Sequence, residues 1–357
     1  MTSPITIRLG QRASQRIAAE GVQAADIAIV PAAAGGPKGL ILNGLDCWMF
    51  GEFFRNAPRQ RKLIGASIGA WRMAAAAFDE PVAAHKRLAR LYAGQRYPDK
   101  VTPAYVSQTC RTLLDELLDG RGTEVLHHPQ HQVSIITARG IGALAGAQGA
   151  RWREMACFLL AAAGNALSRK RLAASMERVI FHNQHDHAGW LREDFDAFAN
   201  HFVSLSPDNL RDALLASGSI PLVLEAVTNI AGAPGGAYWD GGLIDYHLHL
   251  PYQRDPGLVL YPHFSDYIVP GWLDKSMPWR RARDQALDNM ILVSPSADFV
   301  RSLPNAKLPD RKDFHVYGQD HDRRNRDWLK AIGESERMAE AFARWCEKPD
   351  LKLAASF

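Results

Sequence analysis

Leu63-Ile64-Gly65-Ala66-Ser67-Ile68-Gly69, continuing as Ala70-Trp71-Arg72-Met73-Ala74-Ala75-Ala76-Ala77, joins a short apolar strand to an alanine-rich helix through a G-x-S-x-G turn. This spacing is that of a nucleophile elbow. The turn is too tight for side chains at its flanking positions, and it pushes the serine hydroxyl of Ser67 into the open. The helix that follows aims its first N–H groups and its positive dipole end at the place where negative charge would develop. A plain glycine-rich strand-to-helix turn carries the same letters, so the reading depends on what surrounds it.

Upstream, Ile27-Ala28-Ile29-Val30 has the continuous apolar character of a buried strand. It runs into Pro31-Ala32-Ala33-Ala34-Gly35-Gly36-Pro37-Lys38-Gly39 and then an apolar stretch from Leu40 to Met49, expected to be helical. A glycine loop of this kind brings backbone N–H donors close to an oxyanion. Pro37 has no N–H, which leaves Gly35, Gly36 and Lys38 as the expected donors. The nucleotide-binding pattern G-x-x-x-x-G-K-[ST] is absent, because Lys38 is followed by Gly39. Far downstream, Ala237-Tyr238-Trp239-Asp240-Gly241-Gly242 delivers an aspartate into a glycine turn. A serine nucleophile needs a base within hydrogen-bond reach, and the fold can supply one from any point in the chain.

These three motifs, in this order, resemble those of the patatin-like phospholipases. That family joins a glycine-rich oxyanion loop, a G-x-S-x-G elbow and a later Asp-Gly-Gly or Asp-Gly-Ala. Ala216-Ser217-Gly218-Ser219-Ile220-Pro221 also looks like the segment that precedes the family's aspartate, and the resemblance spans about residues 27 to 245. It implies a Ser67–Asp240 dyad without a catalytic histidine, an oxyanion hole at Gly35, Gly36 and Lys38, and a lipid or other acyl ester as substrate. No cofactor or metal is needed for that chemistry. The loop departs from the family pattern: Ala33-Ala34 stands where Asp-Gly is common. An acyltransferase using the same dyad, and a non-catalytic lipid-binding protein on the same fold, are the competing expectations.

Apolar segments near residues 5–9, 27–30, 62–65, 133–137, 178–181, 238–240, 257–261 and 290–294 alternate with helical stretches, including Pro103 to Leu118 and Pro207 to Leu215. Alternation of this kind predicts an α/β fold, a three-layer α/β/α sandwich with a mainly parallel central sheet. Ligands of such sheets bind beyond the carboxyl ends of the strands, where Gly35, Ser67 and Asp240 are expected to meet. The motifs are widely spaced with no Gly/Ser/Pro-rich linker between them. One domain over residues 1–357 is therefore expected, with a helix-rich insertion at about 81–175.

Within that insertion, Arg151-Trp152-Arg153-Glu154 leads into an apolar run from Met155 to Leu167, then Ser168-Arg169-Lys170-Arg171. The run is shorter than the ~20 residues that span a bilayer. Its basic and aromatic ends suit a helix at a lipid interface or over an acyl pocket, and a buried core helix with solvated ends explains the same residues.

The chain has 357 residues, 47% of them hydrophobic and 22% charged, which suffices for a large buried core. A net charge of +4 and the absence of a recognition motif argue against nucleic acid as a partner. Cys47, Cys110, Cys157 and Cys346 are too far apart for a C-x-x-C site and read as reduced thiols. The first residues lack a basic, apolar export signal, so a cytoplasmic location is the expectation, with transient contact at a membrane surface. His127-His128-Pro129-Gln130-His131 and His182-Asn183-Gln184-His185-Asp186-His187 lack the spacing of known metal motifs and read as loop histidines. His247 and His249, in alternating strand positions, would share a face near Asp240 and could provide the base of a conventional triad, while a strand edge explains their closeness to the aspartate equally well. Arg323-Arg324-Asn325-Arg326 reads as a solvated helix face or a contact for anionic headgroups.

Overall fold

Eleven strands form one mixed, mostly parallel sheet flanked by helices, in a computed structural model that describes residues 3–55, 57–146, 151–183, 189–192 and 194–357. In chain order they are β1 (Ile5–Leu9), β2 (Ile27–Ala32), β3 (Arg61–Ala66), β4 (His131–Gly140), β5 (Met176–His182), β6 (Asn200–Ser204), β7 (Val227–Thr228), β8 (Ala237–Asp240), β9 (Leu258–Pro262), β10 (Met290–Pro295) and β11 (Ala354–Ser356). Across the sheet the order is β11-β1-β10-β9-β2-β3-β4-β5-β6, with β8 on β4 and β7 on β8. Strands β10, β9, β2, β3 and β4 are parallel, whereas β1 and β5 run against their neighbours β10 and β4. All six residues of β2 are buried, as expected of a parallel strand covered on both faces.

Strand β4 carries two partners along one edge. Its first half pairs with β3 as far as Ala66 opposite Ile136, and the next residues pair with β8, beginning with Asp240 opposite Thr137. The strand that ends at the elbow and the strand that ends at the aspartate therefore meet end to end on a single ruler. Because register in a sheet is discrete, this pairing fixes the distance between Ser67 and Asp240.

All eight expected strands are present, and three more were not anticipated. Asn200–Ser204 reads Asn-His-Phe-Val-Ser, too polar to signal a strand, and forms the sheet's edge. Val227–Thr228 and Ala354–Ser356 are too short to show a period. Strand β2 continues through Pro31 to Ala32, two residues beyond the expected boundary; a proline is tolerated there because the strand is ending. The expected helix from Leu40 to Met49 is instead a 3-10 helix over Gly36–Leu42, an α-helix over Asn43–Trp48 and a π-turn over Met49–Phe53. The helix-rich stretch at 81–175 is divided by β4, which lies inside the sheet.

The helix Arg151–Leu167 is neither wholly buried nor wholly free. Ala161 and Asn165 face inward and Phe158 packs edge-on to Trp239 at 5.3 Å, while Trp152, Leu159 and Leu160 are 63%, 63% and 75% exposed. Among the described residues no helix is long and apolar enough to cross a membrane.

Several histidines are locked in the interior without charge. Burial pushes His85 down to about 4, opposed by the nearby Asp46 carboxylate, and pushes His131 and His263 down to about 3. Unfolding returns each to an ordinary value of 6.5, so the unfolded chain binds more protons below that pH. Stability is then fully present above about pH 6.5 and is lost as pH falls toward the folded-state values, at up to about 1.4 kcal/mol per pH unit for each histidine. Thermal unfolding is expected to show a Tm that holds between about pH 8 and 7 and declines by several degrees at about pH 5. A Tm unchanged over that range would contradict this account.

Candidate active site

The elbow is built by close contact. A β-carbon on Gly65 would stand 2.5 Å from the Ala70 nitrogen, and one on Gly69 would stand 1.9 Å from the carbonyl oxygen of Ala32. No other residue fits at either place. Ser67 itself takes φ 56° and ψ −131°, a strained conformation for a residue with a side chain. Such strain costs about 1–3 kcal/mol and persists only where the surroundings impose it. Here the Ser67 amide donates to Ser217 Oγ at 2.9 Å, and that hydroxyl donates to the Ile136 carbonyl of β4 at 2.6 Å.

The same segment holds the aspartate. The Asp240 amide donates to the Ser219 carbonyl at 2.8 Å, and the Gly241 amide to that of Ser217 at 3.3 Å. Ser217–Ser219 thus ties Ser67, β4 and Asp240 together. The sequence marked this segment only through resemblance, since nothing in its letters announces a bracket. In the turn that follows, a β-carbon on Gly241 would stand 2.2 Å from the Ile136 carbonyl oxygen.

Ser67 and Asp240 are both buried, and the serine hydroxyl lies near enough to the aspartate carboxylate to act on its pKa. Asp240 Oδ1 also accepts from the Gly242 amide at 2.7 Å. Burial raises the Asp240 carboxyl above its ordinary range, while Arg311, the Ser67 contact and the Gly242 amide pull the other way. A raised carboxyl binds a proton more readily, which suits a base.

Two cavities open on this pair. One of about 700 Å³ is lined by Gly36, Ser67, Trp71, Tyr92, Val106 and Arg311, among others. The other, about 240 Å³ and almost entirely apolar, is lined by Asp240, Ala34, Phe158, Leu159, Trp272 and Arg311, among others. Ile220, Leu222 and Arg311 border both.

Of the loop residues, Gly36 lines the larger cavity and takes φ +55°, a backbone conformation that favours glycine. A β-carbon on Gly35 would meet the Phe264 ring at 2.5 Å, and the Lys38 ammonium lies over that ring, 5.4 Å from its centre. The first turn of the loop is held by the Ala34 amide donating to the Tyr246 carbonyl at 2.9 Å.

Neither His247 nor His249 lines either cavity. His247 and His249 are not on a strand: His247 packs against His263 with ring centres 4.2 Å apart, and His249 Nε2 pairs with Asp284 at 2.9 Å. Their alternating spacing misled because the short helix Gly242–Asp245 and a turn, not a strand, follow Asp240. His128 and His131 stack with centres 4.3 Å apart, and His128 Nδ1 caps the turn into β4. His185 and His187 lie outside the described residues. Among the described residues no group of three or more His, Cys, Asp or Glu side chains is gathered to hold a metal ion.

Of the arginine run at 323–326, Arg324 is not on a solvated face. It is buried, donates to the Gln95 carbonyl and lies over the rings of Phe314 and Trp328. Arg311, by contrast, reaches the site from a region with no motif, and sequence reasoning missed it. Its only local signal is an Asp-Arg-Lys-Asp run, which is equally natural for a solvated turn.

No curated protein matches the chain. The family model for patatin-like phospholipases matches residues 54–247, more than half of the chain, and takes in Ser67, the Ser217 segment and Asp240 while leaving out Gly36 and Arg311. With its parallel sheet and the elbow and aspartate in that span, the chain belongs to the patatin-like phospholipase family.

Proposed function

We propose that this protein is a serine acyl hydrolase acting on carboxyl esters of lipids, with Ser67 as nucleophile and Asp240 as base. The nearness of the Ser67 hydroxyl to the buried Asp240 carboxylate, with the two residues in the walls of adjoining cavities, carries this reading. Ser67 Oγ attacks the ester carbonyl carbon and its proton passes to Asp240. The oxyanion is held by backbone N–H groups of Gly35, Gly36 and Lys38. Collapse expels the alcohol, which takes the proton from Asp240, and leaves an acyl group on Ser67. Water then attacks that ester, gives its proton to Asp240 and releases the fatty acid as the proton returns to Ser67.

Access from a lipid surface fits the helix Arg151–Leu167. Met155 and Leu159 line the apolar cavity, while Trp152 and Leu160 point to solvent from the same helix. In this reading the exposed residues enter the lipid interface, and an acyl chain passes beneath them toward Asp240.

A fluorophosphonate probe is expected to label Ser67, and Ser67→Ala to abolish both labelling and ester hydrolysis with an unchanged Tm. Asp240→Asn is expected to lower kcat by about 10²–10⁴-fold, whereas His247→Ala and His249→Ala leave it nearly unchanged. A loss at either histidine equal to that at Asp240 would overturn the dyad. Because the Asp240 carboxyl is raised, the acid limb of kcat/KM should fall at a pH above 3.8. A limb at or below that value would show that a different group takes the proton. Trp152→Glu with Leu160→Glu should weaken cosedimentation with phosphatidylglycerol vesicles by about tenfold, since each change removes apolar area from the interface and adds a repelled charge; undiminished cosedimentation would remove this helix from the membrane contact.

A further inference from the structure

A single turn stands between the two cavities. Pro221 lines the Asp240 cavity but not the Ser67 cavity, Val223 lines the Ser67 cavity but not the Asp240 cavity, and Ile220 and Leu222 border both. The Val223 amide donates to the Ile220 carbonyl at 3.2 Å, which closes the turn, and the Leu224 amide donates to the same oxygen at 2.9 Å.

The turn holds a residue that its backbone disfavours. Proline presets φ at the first central position, and Leu222, at the second, takes φ 66°. This is the pattern of a type II turn, in which the second central position calls for glycine or asparagine because its φ is positive. A bulky side chain there is a genuine outlier. Leu222 is only half-buried, so packing into the core does not account for its conformation.

The unstrained alternative is one peptide flip away. Rotating the Pro221–Leu222 peptide gives a type I turn, whose second central residue has a φ of about −90°, where leucine is at ease. The strained form therefore needs a partner, and it has one in Glu154. The N–H of the peptide that would flip, the Leu222 amide, donates to Glu154 Oε1 at 3.2 Å. A hydrogen bond to a carboxylate is stronger than one between neutral groups. Glu154 belongs to the helix Arg151–Leu167, which also supplies Met155 and Leu159 to the wall of the Asp240 cavity. One helix thus builds that cavity and anchors the turn that bounds it.

Strain that is imposed by a specific contact, at a residue lining a site, points to a task for that residue in the site. An ester carbonyl within reach of both Ser67 and Asp240 has two arms, the acyl chain and the alcohol, and two cavities to receive them. An acyl group branched at the carbon next to the carbonyl has a third arm, and the turn occupies the space between the two cavities that this arm would need.

We propose that the Ile220–Val223 turn is a partition that makes the site selective for acyl chains unbranched next to the carbonyl, with Leu222 as the specificity determinant and Glu154 as the positioning residue that holds it. The selectivity in turnover rests on the hydrolase reading; the selection of shape beneath it does not.

The test uses 4-nitrophenyl octanoate and 4-nitrophenyl 2-propylpentanoate, isomers with the same leaving group and the same number of acyl carbons. Their intrinsic difference in reactivity cancels when the ratio of their kcat/KM values is compared between wild type and variants. Leu222→Gly, which removes the side chain and suits the positive φ, should lower the preference for octanoate by about tenfold or more, since shape alone in a pocket is worth about 10–200-fold. Leu222→Ala removes the side chain without easing the backbone and should do the same, so the result does not hang on one variant folding. Glu154→Ala should lower the preference as well, and Glu154→Gln, which keeps an oxygen acceptor, should restore most of it. An unchanged ratio in both Leu222 variants, or an equal loss on both esters, would overturn the partition; an unchanged ratio in Glu154→Ala would remove Glu154 from it.

Calorimetric binding of octanamide and 2-propylpentanamide to the Ser67→Ala protein supplies a readout without turnover. Tighter binding of octanamide, with the difference erased by Leu222→Ala, in a protein whose wild type hydrolyses neither ester, would uphold the partition and sink the hydrolase reading. Hydrolysis of both esters with no difference in binding between the two amides would do the reverse.

Discussion

The pairing of β4 with β3 and β8 along one edge is the constraint on which the site depends. Ala66 opposes Ile136 and Asp240 opposes Thr137, so two residues far apart in the chain are set next to each other by one step of a strand. Hydrogen-bond register allows no intermediate position, and a slip of one residue would turn the aspartate to the other face of the sheet. The Ser217 hydroxyl, bonded to both the Ser67 amide and the Ile136 carbonyl, closes the third side of this arrangement. The strain at Ser67 is thereby borne by a sheet, a helix start and a bracket together.

Two buried arginine–carboxylate pairs hold the neighbouring elements. Arg72, on the helix that follows the elbow, makes a bidentate contact with Asp46 at 2.7 and 2.8 Å, which joins that helix to the one after the glycine loop. On the other side Arg178 of β5 holds Asp245 at 2.6 and 2.9 Å and also reaches Asp196, fixing the short helix that follows Asp240. Replacing such pairs by apolar groups of equal volume often leaves stability unchanged or improves it, so their value here lies in orientation. Each lies on one side of the Ser67–Asp240 pair, and each resists a different displacement.

Much of this was legible in the residues. Eight strands announced themselves as apolar runs, and the G-x-S-x-G and Asp-Gly-Gly motifs marked the two ends that β4 brings together. The glycines in those motifs could be read because their reason is local: a neighbouring backbone passes too close for a β-carbon. Strand periodicity does not extend past Asp240 to His247, because the chain turns into a short helix there. Arg311 and Arg324 show the opposite failure. Both are arginines in charged stretches of the C-terminal third, yet Arg324 ends inside an aromatic cage and Arg311 beside Gly36 in the wall of the Ser67 cavity, and only long-range packing separates those outcomes. The helix Arg151–Leu167 lay between: its apolar run was plain, but which side faced Trp239 and which faced solvent was decided by β4 and β8 beneath it.

The placement of β9 beside β2 bears on how the molecule is made. Strand β2 sits between β3, which follows it closely in the chain, and β9, which begins at Leu258. On a ribosome the elbow half of the protein emerges with one flank of β2 unpaired, and that flank stays open until more than two hundred residues beyond β2 have been synthesised. The open flank is apolar on both faces, the kind of edge that invites pairing with other chains. The G-x-S-x-G and Asp-Gly-Gly motifs are thus complete in the nascent chain before the sheet that supports them can close, and its maturation is tied to the arrival of β9 and β10 rather than to the motifs themselves.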